Sequence, residues 1–93
     1  MPFSLRLPDA WTTLGWKAKI RERERKEEPH VSIIFKLWVW RLSLRTGEFL
    51  DATPPPRDVP AELVAWIWSQ RETLCTKWDE KYPKNVVFSQ ENR

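Results

Sequence analysis

The fifteen residues from His30 to Leu44 constrain the fold of this chain more than any other segment. They are rich in β-branched and aromatic residues, which favour β-strands. Strands rarely exceed about ten residues, so the segment predicts a hairpin with its turn near Lys36-Leu37. Alternation along both strands then turns one set of side chains inward, namely Val31, Ile33, Phe35, Trp40, Leu42 and Leu44.

Period-two patterns on both sides of this hairpin predict further strands. Apolar and polar residues alternate over residues 3–7, which predicts a short edge strand. They also alternate over residues 15–23, which predicts a half-buried strand with Trp16, Ala18 and Ile20 facing inward. Gly47 supplies the left-handed position that a short hairpin turn needs, and this predicts one more short strand over Glu48–Asp51.

A helical pattern replaces the strand pattern after the prolines at 54–56. Apolar residues recur with a period of 3.6 from about residue 59 to residue 81, with Asp58 as the expected N-cap and Pro83 beyond the end. We therefore predict a two-layer α+β fold: a three- to four-stranded antiparallel meander covered on one face by one long C-terminal helix. Residues 1–83 form the predicted domain, and residues 84–93 form a short tail.

The composition argues against several functional classes. The only cysteine is Cys75 and the only histidine is His30, so we expect no metal, no cofactor and no disulfide. No signal-peptide pattern opens the chain, and the apolar run Leu63–Trp68 is far too short to span a membrane, so a cytoplasmic location is expected. Acid–base catalysis needs a second positioned group beside His30, and the sequence identifies none, so an enzyme is the least favoured class.

Cations at alternate positions suggest a surface for nucleic acid. On one strand face they would stand about 6.6 Å apart, close to the phosphate spacing of an extended single strand. The alternative is an ordinary solvated sheet face, favoured because the aromatic residues point to the other side and are not placed to stack on bases. The candidate nucleic-acid contacts are Lys17, Lys19, Arg21, Arg23, Arg25 and Arg41.

Seven tryptophans are more than a domain of 93 residues can readily bury. Trp66 and Trp68 are about 200° apart around a helix, so both cannot point into one core. Trp38 lies at the predicted turn. Exposed tryptophan is typical of protein contacts, so we identify Trp38, Trp66 and Trp68 as candidate contacts for a protein partner or a second copy of the chain. The alternative is that flanking loops cover these side chains.

Five short stretches of the chain form a recognisable set of motifs: Glu28–Val31, Leu42–Gly47, Val64–Ile67, Ser69–Leu74 and Trp78. Together they resemble a family of small bacterial proteins, a domain of unknown function with a Pro-His-Val-His-Val strand and a helix ending in Trp. The resemblance covers roughly residues 20–82 and departs from the family pattern at Ser32, where the family has its second His. The resemblance implies a partner-dependent small protein, of the kind proposed as toxin–antitoxin components.

From sequence alone, the favoured function is therefore that of a small cytoplasmic interaction protein. It would act through a protein partner or as a homodimer. The alternative hypothesis is a nucleic-acid-binding module that uses the basic face of the sheet.

Overall fold

A computed structural model describes residues 3–21 and 28–87, which form four strands and three α-helices. In chain order the elements are β1 (Phe3–Leu5), α1 (Asp9–Thr12), β2 (Trp16–Ile20), β3 (His30–Phe35), β4 (Trp38–Ser43), α2 (Ala61–Ser69) and α3 (Arg71–Lys81). The strands form one antiparallel sheet in the order β1-β2-β3-β4, so the predicted α+β class and meander are confirmed.

The turn between β3 and β4 lies where the strand length predicts it. Phe35 pairs with Trp38 across the two residues Lys36 and Leu37. Lys36 takes the left-handed conformation, with φ of 57°, which the turns of tight hairpins require. A left-handed backbone is unfavourable for lysine, which has a Cβ. The six residue pairs between β3 and β4 fix the position of the turn and so keep Lys36 in this conformation.

The strand predicted over Glu48–Asp51 does not form as a strand. Phe49 makes one isolated bridge to Leu42, and two backbone hydrogen bonds, Ser43 to Glu48 and Leu50 to Arg41, flank it. The last of these bonds is at Leu50, several residues before the prolines at 54–56, so the described segment makes a single bridge and not a ladder.

The core lies between the inward face of the sheet and the two C-terminal helices. Its strand residues include the predicted Trp16, Ile20, Ile33, Trp40 and Leu42, and its helix residues are the predicted Leu63, Ile67, Leu74 and Trp78. Phe35 is half-buried and packs against this cluster.

The single long helix predicted over residues 59–81 is two helices. They meet at Gln70, whose φ of −100° and ψ of 18° interrupt the α-helical path. The Ser69 hydroxyl donates to the Trp66 carbonyl, and the Gln70 N–H bonds to Ile67, three residues back. These local bonds replace the continuous helical ladder.

The start of the helical region also differs from the prediction. Asp58 makes no N-cap and instead ends a short 3₁₀ turn over Pro56–Asp58, while α2 begins after Pro60. Both helices fall short of the length and apolar character that crossing a lipid bilayer demands, as does every helix in the described ranges.

The residues after α3 return to the domain. The Trp78 indole donates a hydrogen bond of 2.7 Å to the Asn85 carbonyl, and the Val87 N–H donates to the Asp79 carboxylate at 2.9 Å. Val87 is buried in the core. The described part of the predicted tail therefore packs on α3.

We predict that Trp78→Ala lowers the free energy of unfolding by about 3–5 kcal/mol and Ile67→Ala by about 2–5 kcal/mol, because both side chains are fully buried. Urea denaturation measures both changes. Leu37→Ala, at a residue 95% exposed, is the matched control and should change stability by less than about 0.5 kcal/mol. A Trp78→Ala variant as stable as this control would contradict the packing of α3 on the sheet.

Candidate functional site

A cleft rich in aromatic rings and proline lies at the hairpin end of the sheet. It has a volume of about 260 Å³. Trp38 is 55% exposed at this cleft, whereas Trp16 and Trp40 are buried. We name it the aromatic cleft, lined by Trp16, Phe35, Trp38, Trp40, Pro54, Pro55 and Asp58.

Strand register brings the four rings of the aromatic cleft together. Phe35 of β3 pairs with Trp16 of β2 on one side and with Trp38 of β4 on the other, so the three residues share one face of the sheet. Trp40 follows two residues later on that face. The Trp16 ring stacks on Phe35 at 4.4 Å between centroids and lies 5.7 Å from the Trp40 ring.

The proline segment closes the other side of the aromatic cleft. The Trp40 indole N–H donates a hydrogen bond of 3.1 Å to the Pro55 carbonyl. Pro55 has φ of −61° and ψ of 130°, close to the polyproline II conformation. The Pro55 carbonyl also accepts the backbone N–H of Asp58 at 3.0 Å, so Pro55 is held both by Trp40 and by the short turn that follows it.

Two side chains of opposite charge border the aromatic cleft. The Lys36 ammonium lies 5.3 Å from the centre of the Phe35 ring, within cation–π range. Asp58 lines the side formed by the proline segment and is exposed. Among the described residues, the floor of the cleft is therefore apolar, one anion (Asp58) lines it, and one cation (Lys36) lies against Phe35 beside it.

A larger groove lies on the other side of the segment 54–60. Its volume is about 700 Å³, and Trp68, Val64 and Phe49 are among the residues that line it. Trp68 packs closely on Gly47, where an added Cβ would lie 3.2 Å from the ring, and the Arg71 guanidinium lies 4.9 Å from the centre of the Trp68 ring.

The three candidate partner contacts occupy different places. Trp38 lies in the aromatic cleft and Trp68 in the larger groove. Trp66 is half-buried and packs against the core. The sequence indicated Trp38 by its place at the turn, but it missed Phe35, Pro55 and Asp58 as neighbours, because cross-strand register and a long connection bring them there.

The opposite face of the sheet carries the candidate nucleic-acid contacts. Lys17 and Arg21 are exposed and Lys19 is half-buried, whereas Arg23 and Arg25 lie outside the described residues. Arg41 shares this face, since Ser32 pairs with both Lys19 and Arg41. On the described strands, the side chains that alternate onto this face include no Phe, Tyr or Trp.

Arg41 already has an acidic partner. Its Nε and one terminal nitrogen donate to the two carboxylate oxygens of Asp51, at 2.8 and 2.6 Å. These hydrogen bonds hold the pKa of Asp51 below its ordinary value of 3.8 and outweigh the opposite effect of burial. The charge of Arg41 is therefore balanced within the chain.

The two reactive residue types take structural positions. His30 is buried, its Nδ1 bonds to the Glu28 carbonyl at 2.7 Å, and its ring lies 5.4 Å from that of Trp78. Burial raises the pKa of the Cys75 thiol, which disfavours the nucleophilic thiolate. Within residues 3–21 and 28–87, no three His, Cys, Asp or Glu side chains are grouped as metal ligands would be.

Asp51→Asn tests the ion pair on the basic face. At pH 7 we expect it to lower the free energy of unfolding by about 0.5–1 kcal/mol, because both partners are about one-third exposed and water screens their attraction. The folded chain lowers the pKa of Asp51, so this stabilisation is present above about 3.8 and is lost as pH falls through the folded value.

Urea denaturation of both proteins at pH 7 and at pH 3 measures this difference. The difference in free energy of unfolding between the unaltered chain and Asp51→Asn should be smaller at pH 3 than at pH 7. Glu48→Gln, at an exposed acid nearby, is the control and should have little effect at either pH. An equal gap for Asp51→Asn at both pH values would contradict a stabilising charge on Asp51.

Comparison with models of known protein families, with curated protein sequences and with solved structures finds no match to this chain. The function is therefore argued from the geometry of its own residues.

Proposed function

We propose that this protein is a small interaction module that binds a protein partner through the aromatic cleft. The observation that carries the proposal is the exposure of Trp38 beside the apolar floor of that cleft. Tryptophan offers a large contact area with few rotatable bonds to order, and it is enriched among the residues that dominate binding energy.

The surroundings of Trp38 distinguish it from other exposed apolar residues. Leu14 and Leu37 are more exposed, at 62% and 95%, but neither lines the aromatic cleft or the larger groove. Single exposed apolar side chains are common on protein surfaces. An exposed ring continuous with a concave apolar surface is instead typical of a binding site.

The proposal includes a second copy of this chain as one form of partner. The family resemblance implies a toxin–antitoxin role, in which the cognate toxin or antitoxin would be the partner bound at the aromatic cleft. This role stays a prediction. The cytoplasmic location expected from the sequence belongs to the same proposal.

The alternative function, nucleic-acid binding, is supported by Lys17 and Lys19, which share one face of β2, and by the exposed Arg21 just after the end of that strand. Two observations weaken it. Arg41 is neutralised by Asp51, and the described strands direct no Phe, Tyr or Trp to that face for base stacking. The aromatic cleft is therefore the better supported surface.

Site-specific photo-crosslinking in native cells tests the proposal. p-Benzoylphenylalanine replaces Trp38 in the aromatic cleft, Lys17 on the basic face, or Leu14 as an exposed control outside both surfaces. We expect a protein adduct of constant mass at position 38, and none at position 14. The protein identified from the adduct should then bind the unaltered chain at least about tenfold more tightly than Trp38→Ala.

Each other outcome contradicts the proposal. Equal adducts at positions 38 and 14 would mean that the aromatic cleft has no preferred partner. A nuclease-sensitive adduct at position 17, with none at position 38, would favour the nucleic-acid alternative. If the partner binds Trp38→Ala as tightly as the unaltered chain, the aromatic cleft is not part of the interface.

A further inference from the structure

We infer that the aromatic cleft takes a proline-rich segment of the partner in the polyproline II conformation. This inference rests on the proposed function and names the chemistry of its ligand. It is carried by three features of the cleft: the chain's own proline segment, the unused groups of Trp38, and the charges at the border.

The chain's own prolines show which ligand these rings accept. Pro54 and Pro55 lie against the aromatic face, and the Trp40 indole donates to the Pro55 carbonyl at 3.1 Å. A flat ring packed on proline and an N–H directed to its carbonyl are the two contacts by which aromatic grooves bind polyproline segments. The cleft thus already contains one half of such a site.

Trp38 offers the same pair of groups to an external segment. Trp38 as a whole residue is 55% exposed, and its indole N–H makes no hydrogen bond to any residue within 3–21 and 28–87. Trp38 and Trp40 point to the same side of β4, about 6.6 Å apart along the strand. A partner's segment can therefore lie beside Pro54 and Pro55. Trp38 would pack its ring on a proline of that segment and donate its indole N–H to a carbonyl, as Trp40 does with Pro55.

The charges favour a neutral ligand. Lys36 and Asp58 have opposite signs at the border, so neither a phosphate nor a cation meets an excess of complementary charge. A quaternary ammonium group is best held by several open ring faces, but Trp16 and Phe35 stack on each other at 4.4 Å and Lys36 already lies over Phe35, which leaves Trp38 as the exposed ring of the cleft. Proline is uncharged and loses little conformational freedom on binding.

Titration of the full chain with a capped decaproline peptide tests the inference, followed by the indole N–H resonances in ¹H–¹⁵N spectra. We expect saturable binding with the largest shift at Trp38, and no response to a capped Gly-Ser decapeptide. Trp38→Ala should weaken binding at least about tenfold. Trp38→Phe, which keeps a ring and removes the N–H, should weaken it about threefold or more.

Leu37→Ala is the matched control, because it removes an exposed apolar side chain next to Trp38 that does not line the cleft. It should leave the decaproline affinity unchanged within about twofold. The thermal midpoint of each variant, measured in the same buffer, shows whether the fold is retained. If either Trp38→Ala or Trp38→Phe lowers the stability of the fold, the other substitution still tests the contribution of Trp38 to decaproline binding.

The inference is overturned if decaproline shows no saturable binding below about 5 mM, which corresponds to a free energy of binding of about 3 kcal/mol. It is also overturned if Leu37→Ala weakens binding as much as Trp38→Ala does, or if tetramethylammonium produces the Trp38 shift and decaproline does not. Failure of decaproline together with a specific crosslink at position 38 would refute the proline ligand and leave the proposed function standing.

Discussion

The hydrogen bond from the Trp40 indole to the Pro55 carbonyl joins the two layers of this protein. After Phe49 the chain leaves the edge of β4 and must cross to the start of α2. Proline residues are compatible with such a connection, because they have no backbone N–H that needs a hydrogen-bond acceptor, and Pro55 is extended. Anchoring Pro55 on Trp40 places the connection, and therefore α2, over the buried face of the sheet.

The same contact divides the aromatic surface at the hairpin end into a covered part and an open part. Trp16 and Trp40 lie under the proline segment and belong to the core, whereas Trp38 remains at the border. Covering Trp38 would need a further stretch of apolar chain, and the turn at Lys36-Leu37 ends the hairpin beside it. The contact that covers Trp40 thus leaves an open apolar surface at Trp38.

How much of the structure the sequence predicts depends on the range of the interactions involved. The hairpin follows from strand length and alternation, which are local, so its turn and the inward residues are predicted correctly. The break at Gln70 is not predicted, because neither Ser69 nor Gln70 is a strong helix breaker and the competing hydrogen bonds appear only in three dimensions. The strand over Glu48–Asp51 is reduced to one bridge at Phe49, and the residues of that segment do not themselves mark where its pairing with β4 ends.

The candidate site is less predictable than the fold. Exposure of Trp38 follows from its place beside the turn, but the cleft around it needs the register of three strands and a connection that returns at Pro55. Conversely, the alternating cations are obvious in the sequence, although the pairing of Arg41 with Asp51 across ten residues is not. A pattern of charges indicates a surface, and only the fold shows whether those charges are already balanced.

Hydrogen exchange at the indole nitrogens of Trp40 and Trp38 tests most directly whether the proline segment covers one ring and leaves the other open. The Trp40 side chain is 3% exposed and its N–H is bonded to Pro55, so its exchange should be at least about a hundredfold slower than that of Trp38. Equal exchange rates at the two indoles would contradict this account, because they would mean that Pro55 does not cover Trp40 or that Trp38 is itself covered.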